Sequence, residues 1–303
     1  MPKLKLKMPN PDKPEITNDK HHLILKLGQI NSKRTKGFTT MDTLNTSRVT
    51  PAVALEPNVW KETYPIRTYE VDCCNRLSIL SMFNFMQDAA SKHAQALGVS
   101  VCRLLSENCT WLLSRLKIKI ASYPGINDRI QIATWPSGTQ RLFALRDFEL
   151  RNGSDQVIAA AVSAWLVIDL QRRRPVRILP FVDRLKPLEG HRVLPDTLDK
   201  LPRLDKHTHE KKFIARYGDL DVNQHVNNVS LAEWVVEGMP SALLKSSAPV
   251  QLEINFLAEA FYEDCILAAC KPQNSDNTVY HHSLIRQQDG RELARARSVW
   301  RPV

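Results

Sequence analysis

The stretch that most constrains this chain is residues 219–228, where seven of the ten side chains are Asp, Asn, Gln or His. Asn and Asp side chains compete for backbone hydrogen bonds, so such a run suits neither a core strand nor a core helix. The pattern predicts a polar loop that leads into a buried helix over residues 228–244. Apolar residues recur there at roughly helical spacing, at Val229, Leu231, Trp234 and Val235.

The polar groups of this loop would lie at a helix N-terminus, which presents unpaired N–H groups and the positive end of the helix dipole. A histidine, two carboxylates and several carboxamides at that place are typical of a catalytic site for a reaction that develops an oxyanion. The alternative is a capped, solvated loop, which we would prefer for a single Asn or Asp. The density of polar groups around His225 favours the catalytic interpretation.

The run DLDVNQHVNN, residues 219–228, resembles the signature of acyl-ACP thioesterases, the enzymes that release fatty acids from acyl carrier protein. A shorter pattern, D-x-N-x-H-x-N-N, recurs across hotdog-fold thioesterases. The longer run, with Gln224, is much more specific. The resemblance extends from about Tyr64 to the C-terminus and leaves the first fifty-odd residues outside it.

The resemblance implies catalytic roles for Asp221, Asn223 and His225, together with a glutamate from the strand that follows the helix. The segment LEINFLAEAFYED offers three candidates, and we select Glu259 over Glu253 and Glu263. Glu259 stands shortly before the turn that ends in Asp264, as the family's glutamate does.

A cysteine nucleophile is disfavoured. Plant members of the family carry a cysteine just after that glutamate, whereas this chain has Ala260. Cys265 lies past the turn and is only a weak alternative. We therefore expect hydrolysis through an activated water.

Thioester hydrolysis needs mainly a base and an oxyanion hole, because the thiol already leaves readily. In our hypothesis Glu259 is the general base on a water held by Asn223 and His225. N–H groups near Asn227 and Asn228 bind the oxyanion, and Asp221 positions the loop. An alternative gives the base role to His225, which can exchange protons near neutral pH.

The chain contains an internal repeat. Residues 70–77 align with residues 219–226, and Asp128 aligns with Asp264. Two hairpin signals, Asn152-Gly153 and Asp289-Gly290, also correspond. Each half reads as strand, loop, long helix and four-strand antiparallel meander. The fold class is therefore α+β, a tandem (double) hotdog with two long helices each wrapped by an antiparallel sheet, and the two sheets can join edge to edge.

The repeat assigns different roles to the halves. The first half has Cys74 and Arg76 where the second has Asn223 and His225, so it has lost the chemistry. Its predicted helix, residues 77–96, carries flexible and flat apolar side chains that suit an acyl tunnel, although plain core packing is the alternative. The tunnel candidates are Leu80, Met82, Phe83 and Met86.

The predicted domain limits follow from composition. Residues 1–56 form a disordered or misannotated tail, with Met41 as an alternative start; residues 57–180 form the N-terminal hotdog with the acyl tunnel. Residues 181–209 form a Pro-containing linker, and residues 210–303 form the catalytic C-terminal hotdog.

The net charge of +10 favours an anionic partner. The basic residues are dispersed and no nucleic-acid motif appears, which disfavours nucleic acid. The resemblance implies an acidic acyl carrier protein as the partner. The tract Arg172-Arg173-Arg174 could dock that carrier, although a solvated turn is the alternative. A homodimer is possible.

Several other classes are disfavoured. No apolar run is long enough for a membrane span and the N-terminus lacks a secretory signal, so a cytoplasmic location is expected. We expect no metal and no cofactor, and six reduced, mostly buried cysteines. An acyl-CoA thioesterase or a non-catalytic acyl-binding hotdog protein remain as alternative functions.

Overall fold

The computed structural model describes residues 58–177, 183–188, 190–195 and 197–303. The predictions for the tail, residues 1–56, and for Met41 lie outside the described residues.

Each half of the described chain contains five long strands and one principal helix. The first half contains β1 (Trp60–Pro65), α1 (Ile79–Ala96), α2 (Val101–Ser106), β2 (Cys109–Ile120), β3 (Arg129–Gln140), β4 (Phe143–Asn152), β5 (Val157–Asp169) and the short β6 (Arg174–Val176). The second half contains β7 (His209–Ile214), α3 (Asn228–Glu237), α4 (Ser241–Ser246), β8 (Ser247–Phe256), β9 (Cys265–Pro272), β10 (Val279–Arg286) and β11 (Arg291–Pro302). The order of elements is the same in both halves, so the predicted repeat is confirmed.

All these strands form one antiparallel sheet in the order β1-β3-β4-β5-β2-β8-β11-β10-β9-β7, with β6 beside β5. The order is symmetric about the β2–β8 pair, which joins the halves edge to edge as predicted. The expected four-strand meander is wrong, because β2 pairs with β5 and not with β3. In each half, the first of the four strands after the helices lies beside the last of them and not beside the next one. Its other edge pairs with the other half.

A buried ion pair marks the centre of this join. Lys117 on β2 lies opposite Glu253 on β8 in the register, with 3.3 Å between Nζ and Oε2. Both residues are buried in the sheet. Glu253 is therefore committed to the join and is not available to the polar loop.

Helix α1 begins where the hydroxyl of Ser78 accepts the N–H of Ser81, a normal N-cap. The helix buries one apolar face against β1 and β3. Met82 and Phe83 are almost fully buried in that face, and burial of each such side chain contributes about 1.5–3 kcal/mol. The predicted helix over residues 77–96 is thus confirmed, with its first turn starting two residues later.

The second helix is shorter than predicted. A single helix was expected over residues 228–244, whereas α3 ends at Glu237 and α4 starts at Ser241. Pro240 lacks an N–H and disfavours helical backbone at Met239, so it separates the two helices. Gly238 forms the C-cap of α3, where an added Cβ would lie 2.9 Å from the Cβ of Ala268.

The cysteine prediction is partly wrong. All six thiols are free, but only Cys270 is buried, while Cys73, Cys74 and Cys102 are exposed. The exposed thiols lie on the first-half loop and on the first turn of α2. Within the part of the chain that the structure describes, no helix is both long and apolar enough to span a membrane.

Candidate active site

The polar loop before α3 is held in shape by the carboxylate of Asp221. Its Oδ1 accepts the backbone N–H groups of Asn223 at 2.8 Å and of His225 at 3.2 Å. The N–H of Asp221 donates to the carbonyl of His225 at 2.8 Å. Gln224 turns the chain through the left-handed region, with φ of 63°. Asp221 therefore fixes the direction of His225 through the backbone.

A second carboxylate, that of Asp219, holds the start of the loop to Arg216. Its two oxygens accept the backbone N–H of Arg216 at 2.7 Å and the guanidinium at 2.8 Å. Burial alone would raise the pKa of Asp219, but the hydrogen bonds from Arg216 outweigh it and lower that pKa. This anchor was not predicted, although the repeat contains a signal for it: Glu70 holds the same place beside Arg67 in the first half.

The structure brings His225 and Glu259 together. Nδ1 of His225 lies 3.4 Å from Oε1 of Glu259. The N–H of Val226 donates to the carbonyl of Ala260 at 2.8 Å, so the backbone ties the two segments side by side. The ring of His225 packs edge-on against Phe261, with 5.3 Å between centroids. Two titratable side chains that are 34 positions apart in the sequence are thus brought into contact.

Both side chains of this pair are partly exposed to solvent. The His225 side chain is 22% exposed and that of Glu259 is 43% exposed. Of the other two glutamates considered for this role, Glu253 lies in the β2–β8 join and Glu263 lies in the turn before β9, with φ of 65°. Glu259 is the one of the three that meets His225.

The N-terminus of α3 lies directly after His225. The side chain of Asn227 is the N-cap and accepts the N–H of Val229 at 2.9 Å. The side-chain Oδ1 of Asn227 is therefore engaged in capping α3. Within the described contacts, the backbone N–H groups of Asn228 and Ser230 have no acceptor, as is usual for a first helical turn.

Among the described hydrogen bonds, Asn223 contacts Asp221 but neither His225 nor Glu259. Its side chain is exposed, and its amide donates to Oδ2 of Asp221 at 3.4 Å.

An apolar cavity begins beside this helix end. Asn228 and Val229 of α3 line the cavity, together with residues of α1 in the first half. Phe83 and Met86, two of the four predicted tunnel residues, line it. Met82 is fully buried in the main core, and Leu80 packs against that core. The remaining lining residues are Gln87, Ala90, Leu113, Leu116, Phe148, Ser163, Trp165 and Phe256.

Two family models match the chain. The model of the acyl-ACP thioesterase N-terminal domain matches residues 57–184, and the model of the acyl-ACP thioesterase C-terminal domain matches residues 203–302. Together they cover most of its length. The chain belongs to the acyl-ACP thioesterase family. The predicted family is therefore confirmed.

Several curated relatives are plant proteins. The chain is 27% identical over 259 residues to the palmitoyl-acyl carrier protein thioesterase, chloroplastic, of Cuphea hookeriana, covering 80% of this chain and 62% of the relative. It is 28% identical over 264 residues to the protein of the same name from Gossypium hirsutum, covering 80% of this chain and 64% of the relative. The chain thus spans less than two thirds of the length of these relatives.

Solved structures of family members share the fold. The 12:0-ACP thioesterase from Umbellularia californica superimposes with a TM-score of 0.75 at 24% identity, covering 83% of this chain and all of the other. An acyl-ACP thioesterase from Bacteroides thetaiotaomicron gives a TM-score of 0.73 at 22% identity, covering 80% of this chain and 98% of the other. The tandem hotdog fold is confirmed.

In this family member the first half contains a structural counterpart of the site, in which Arg76 stands at the position of His225. The N–H of Leu77 donates to the carbonyl of Pro124 at 2.7 Å, as that of Val226 does to Ala260. Tyr123 therefore stands at the position of Glu259. Its hydroxyl donates to the carbonyl of Pro249, and burial raises its pKa.

Proposed function

We propose that this chain hydrolyses the thioester between a fatty acyl group and acyl carrier protein and releases the free fatty acid, a step that ends fatty acid synthesis. The observation that carries the proposal is the His225–Glu259 pair beside the N-terminus of α3 and the mouth of an apolar cavity. The pair supplies a base, the helix end supplies N–H donors, and the cavity suits an alkyl chain.

In the proposed reaction a water gives its proton to Glu259 while its oxygen attacks the thioester carbonyl carbon. The resulting oxyanion accepts hydrogen bonds from N–H groups at the start of α3, including that of Asn228. The C–S bond then breaks, the carbonyl reforms, and the thiolate takes up the proton. His225 orients the water or takes the base role itself, and Asp221 positions His225 through the backbone.

The role of Asn223 is less direct in this scheme. Its side chain reaches Asp221, so we propose that it supports the loop and contacts substrate only when the carrier-bound thioester enters. Asn227 acts by capping α3. Phe83 and Met86 line the proposed acyl site, whereas Leu80 and Met82 support it from the core.

The carrier is proposed to be an acidic acyl carrier protein with a phosphopantetheine arm. In the exposed tract Arg172-Arg173-Arg174, the first two residues lie in the turn after β5 and Arg174 begins β6. The tract remains a candidate docking point. The domain limits at residues 57–180, 181–209 and 210–303, a cytoplasmic location and a homodimer also remain predictions. The plant relatives are named as chloroplastic, and fractionation of the native host would test the location.

One experiment separates the candidate functions. The purified chain is offered the same acyl group on acyl carrier protein and on coenzyme A, and free thiol is measured. We expect faster release from the carrier protein. Faster release from coenzyme A would favour an acyl-CoA thioesterase. Tight acyl binding with no thiol release from either substrate would reject the proposal in favour of a binding protein.

A further inference from the structure

The imidazole of His225 needs a packing partner to keep its direction. Its Nδ1 lies 3.4 Å from Oε1 of Glu259, which is longer than an ordinary N–H···O hydrogen bond. Because the side chain is also partly exposed, this contact alone leaves the ring free to turn away from the carboxylate. A group that fixes the ring therefore acts directly on the geometry of the pair.

Phe261 is the aromatic residue that meets His225. The two rings stand almost perpendicular, at 87°, with 5.3 Å between their centroids. Edge-to-face pairs at this separation are favourable. Phe261 is itself 41% exposed, so the core of the protein does not hold it. Its position depends on the groups around the turn before β9.

Arg286 on β10 supports both members of this contact. Its guanidinium lies 5.9 Å from the centroid of the Phe261 ring, within the range of a cation–π contact. Nη1 of the same group lies 3.4 Å from the backbone carbonyl oxygen of Glu259. One side chain thus contacts the backbone of Glu259 and the ring that packs against His225.

Two carboxylates hold Arg286 in place. Its Nε and Nη2 donate to the two oxygens of Asp289 at 3.0 and 2.8 Å. Its Nη1 donates to Oδ2 of Asp264 at 3.2 Å, and the same oxygen accepts the N–H of Phe261 at 2.8 Å. A planar guanidinium with partners on three of its nitrogens is fixed in one orientation.

The first half shows that the turn itself does not need the aromatic ring. The N–H of Gly125 donates to Oδ2 of Asp128 at 2.9 Å, as that of Phe261 donates to Oδ2 of Asp264. Gly125 therefore stands at the position of Phe261. The turn forms in both halves, but the ring is present only in the half that contains the histidine.

The hairpin does not need the arginine either. In the register, Asn152 pairs with Ile130 of β3. Arg286 pairs with Ile266 of β9. Each of these isoleucines follows the aspartate of its turn by two positions, so Asn152 stands at the position of Arg286. Because the repeat keeps the turn and the hairpin without either side chain, the ring and the cation together are a feature of the site and not of the fold.

We propose that Phe261 and Arg286 are positioning residues, which keep the imidazole of His225 turned towards the carboxylate of Glu259. The inference rests on the proposed thioesterase function and deepens it. Arg286 holds Phe261, and Phe261 holds His225; neither gives or takes a proton. A small error in the direction of a reacting group is costly, so loss of either side chain should lower kcat about tenfold while KM changes less than about twofold.

The first test replaces the ring. Phe261→Leu should lower kcat about tenfold, because leucine has no ring edge to oppose the imidazole. Phe261→Tyr keeps the ring and should retain kcat within about twofold. Tyr262→Leu is the matched control, since this neighbouring ring packs against Tyr217. Wild-type kcat in Phe261→Leu, or an equal loss in Tyr262→Leu, would overturn the proposal.

The second test replaces the cation. Arg286→Met should lower kcat about tenfold with little change in KM. Arg295→Met is the control, because the two side chains are 12% and 14% exposed and Arg295 also donates to a carboxylate three positions away and to a backbone carbonyl. Urea titration should show similar losses of stability in both variants. Equal falls in kcat would overturn the proposal.

NMR of the histidine side chains measures the position itself and needs no turnover. An aromatic ring shifts the proton resonances of a group that is held beside it. The imidazole signals of His225, assigned by their loss in His225→Gln, should therefore move in Arg286→Met, although Phe261 is still present, and stay in place in Arg295→Met. Unmoved signals in Arg286→Met would overturn the proposal. A wild type that hydrolyses no thioester would reject the proposed function, while these signals still decide which groups hold His225.

Discussion

Asp72 and Asp221 hold the two polar loops with the same hydrogen bonds. Oδ1 of Asp72 accepts the N–H groups of Cys74 at 2.9 Å and Arg76 at 3.0 Å. Oδ1 of Asp221 accepts those of Asn223 at 2.8 Å and His225 at 3.2 Å. Because Asp72 does this in the half without the histidine, the aspartate is first a loop-forming residue, and His225 depends on it for position.

Replacement of Asp221 should therefore damage both folding and activity. We expect Asp221→Ala to lower the free energy of unfolding by about 1–2 kcal/mol, because two backbone N–H groups lose their acceptor. Thioester hydrolysis should fall with it, since His225 is released. Asp72→Ala is the matched control, with a similar loss of stability and nearly unchanged kcat. Urea titration and single-turnover hydrolysis measure the two effects, and equal kcat losses in both variants would contradict this division.

Glu259 should affect chemistry and leave stability unchanged. The exposed Glu259→Gln change keeps the shape of the side chain but removes the base, so we expect kcat to fall about 100-fold or more. Glu263→Gln, in the adjacent turn, is the control and should behave as wild type. A Glu259→Gln enzyme with near wild-type kcat, alongside an inactive His225→Ala enzyme, would transfer the base role to His225.

The Lys117–Glu253 pair should couple the two halves. Glu253→Ala leaves the buried Lys117 cation without this partner, which is expected to cost about 3 kcal/mol of unfolding free energy. Replacing both residues by apolar ones of similar volume, Lys117→Met with Glu253→Leu, should restore most of that loss. Denaturant melts of Lys117→Met, of Glu253→Leu and of the double variant form the test. Additive losses in the double variant would mean that the pair is not coupled.

Stability should fall below about pH 6.5 before the carboxylates titrate. Burial lowers the pKa of both His93 and His282 from 6.5 to about 3. Their folded-state pKa lies below the unfolded value, so the folded protein binds fewer protons than the unfolded chain between pH 3 and 6.5. Their contribution is complete above pH 6.5 and is lost as the pH falls through this window.

The expected slope is up to about 1.4 kcal/mol per pH unit for each histidine. Denaturant melts between neutral pH and pH 5 measure it. His282→Gln can still bond Ser298 and should remove one histidine's share of the slope, while the exposed His207→Gln change should leave it intact. A slope unaffected by His282→Gln would show that this residue is not responsible.

Much of the local structure could be predicted because its causes are local. The Asn and Asp groups of 219–228 set the loop, and the Asn152-Gly153 hairpin joins β4 to β5 as expected. The break between α3 and α4 also has a local cause, because Gly238 and Pro240 end the helix that the apolar spacing alone predicts to continue. Cys73 and Cys74 were predicted to be buried from their residue type. They are exposed because they lie in the loop that corresponds to the polar loop of the second half.

The sequence by itself determined the repeat, the polar loop, the start of α3 and the family signature, since each depends on hydrogen bonds between residues a few positions apart. Only the tertiary structure decided that Glu259 meets His225 and that strands β2 and β8 join the halves. Those outcomes depend on strand order and register, which place residues far apart in sequence on one face of the sheet.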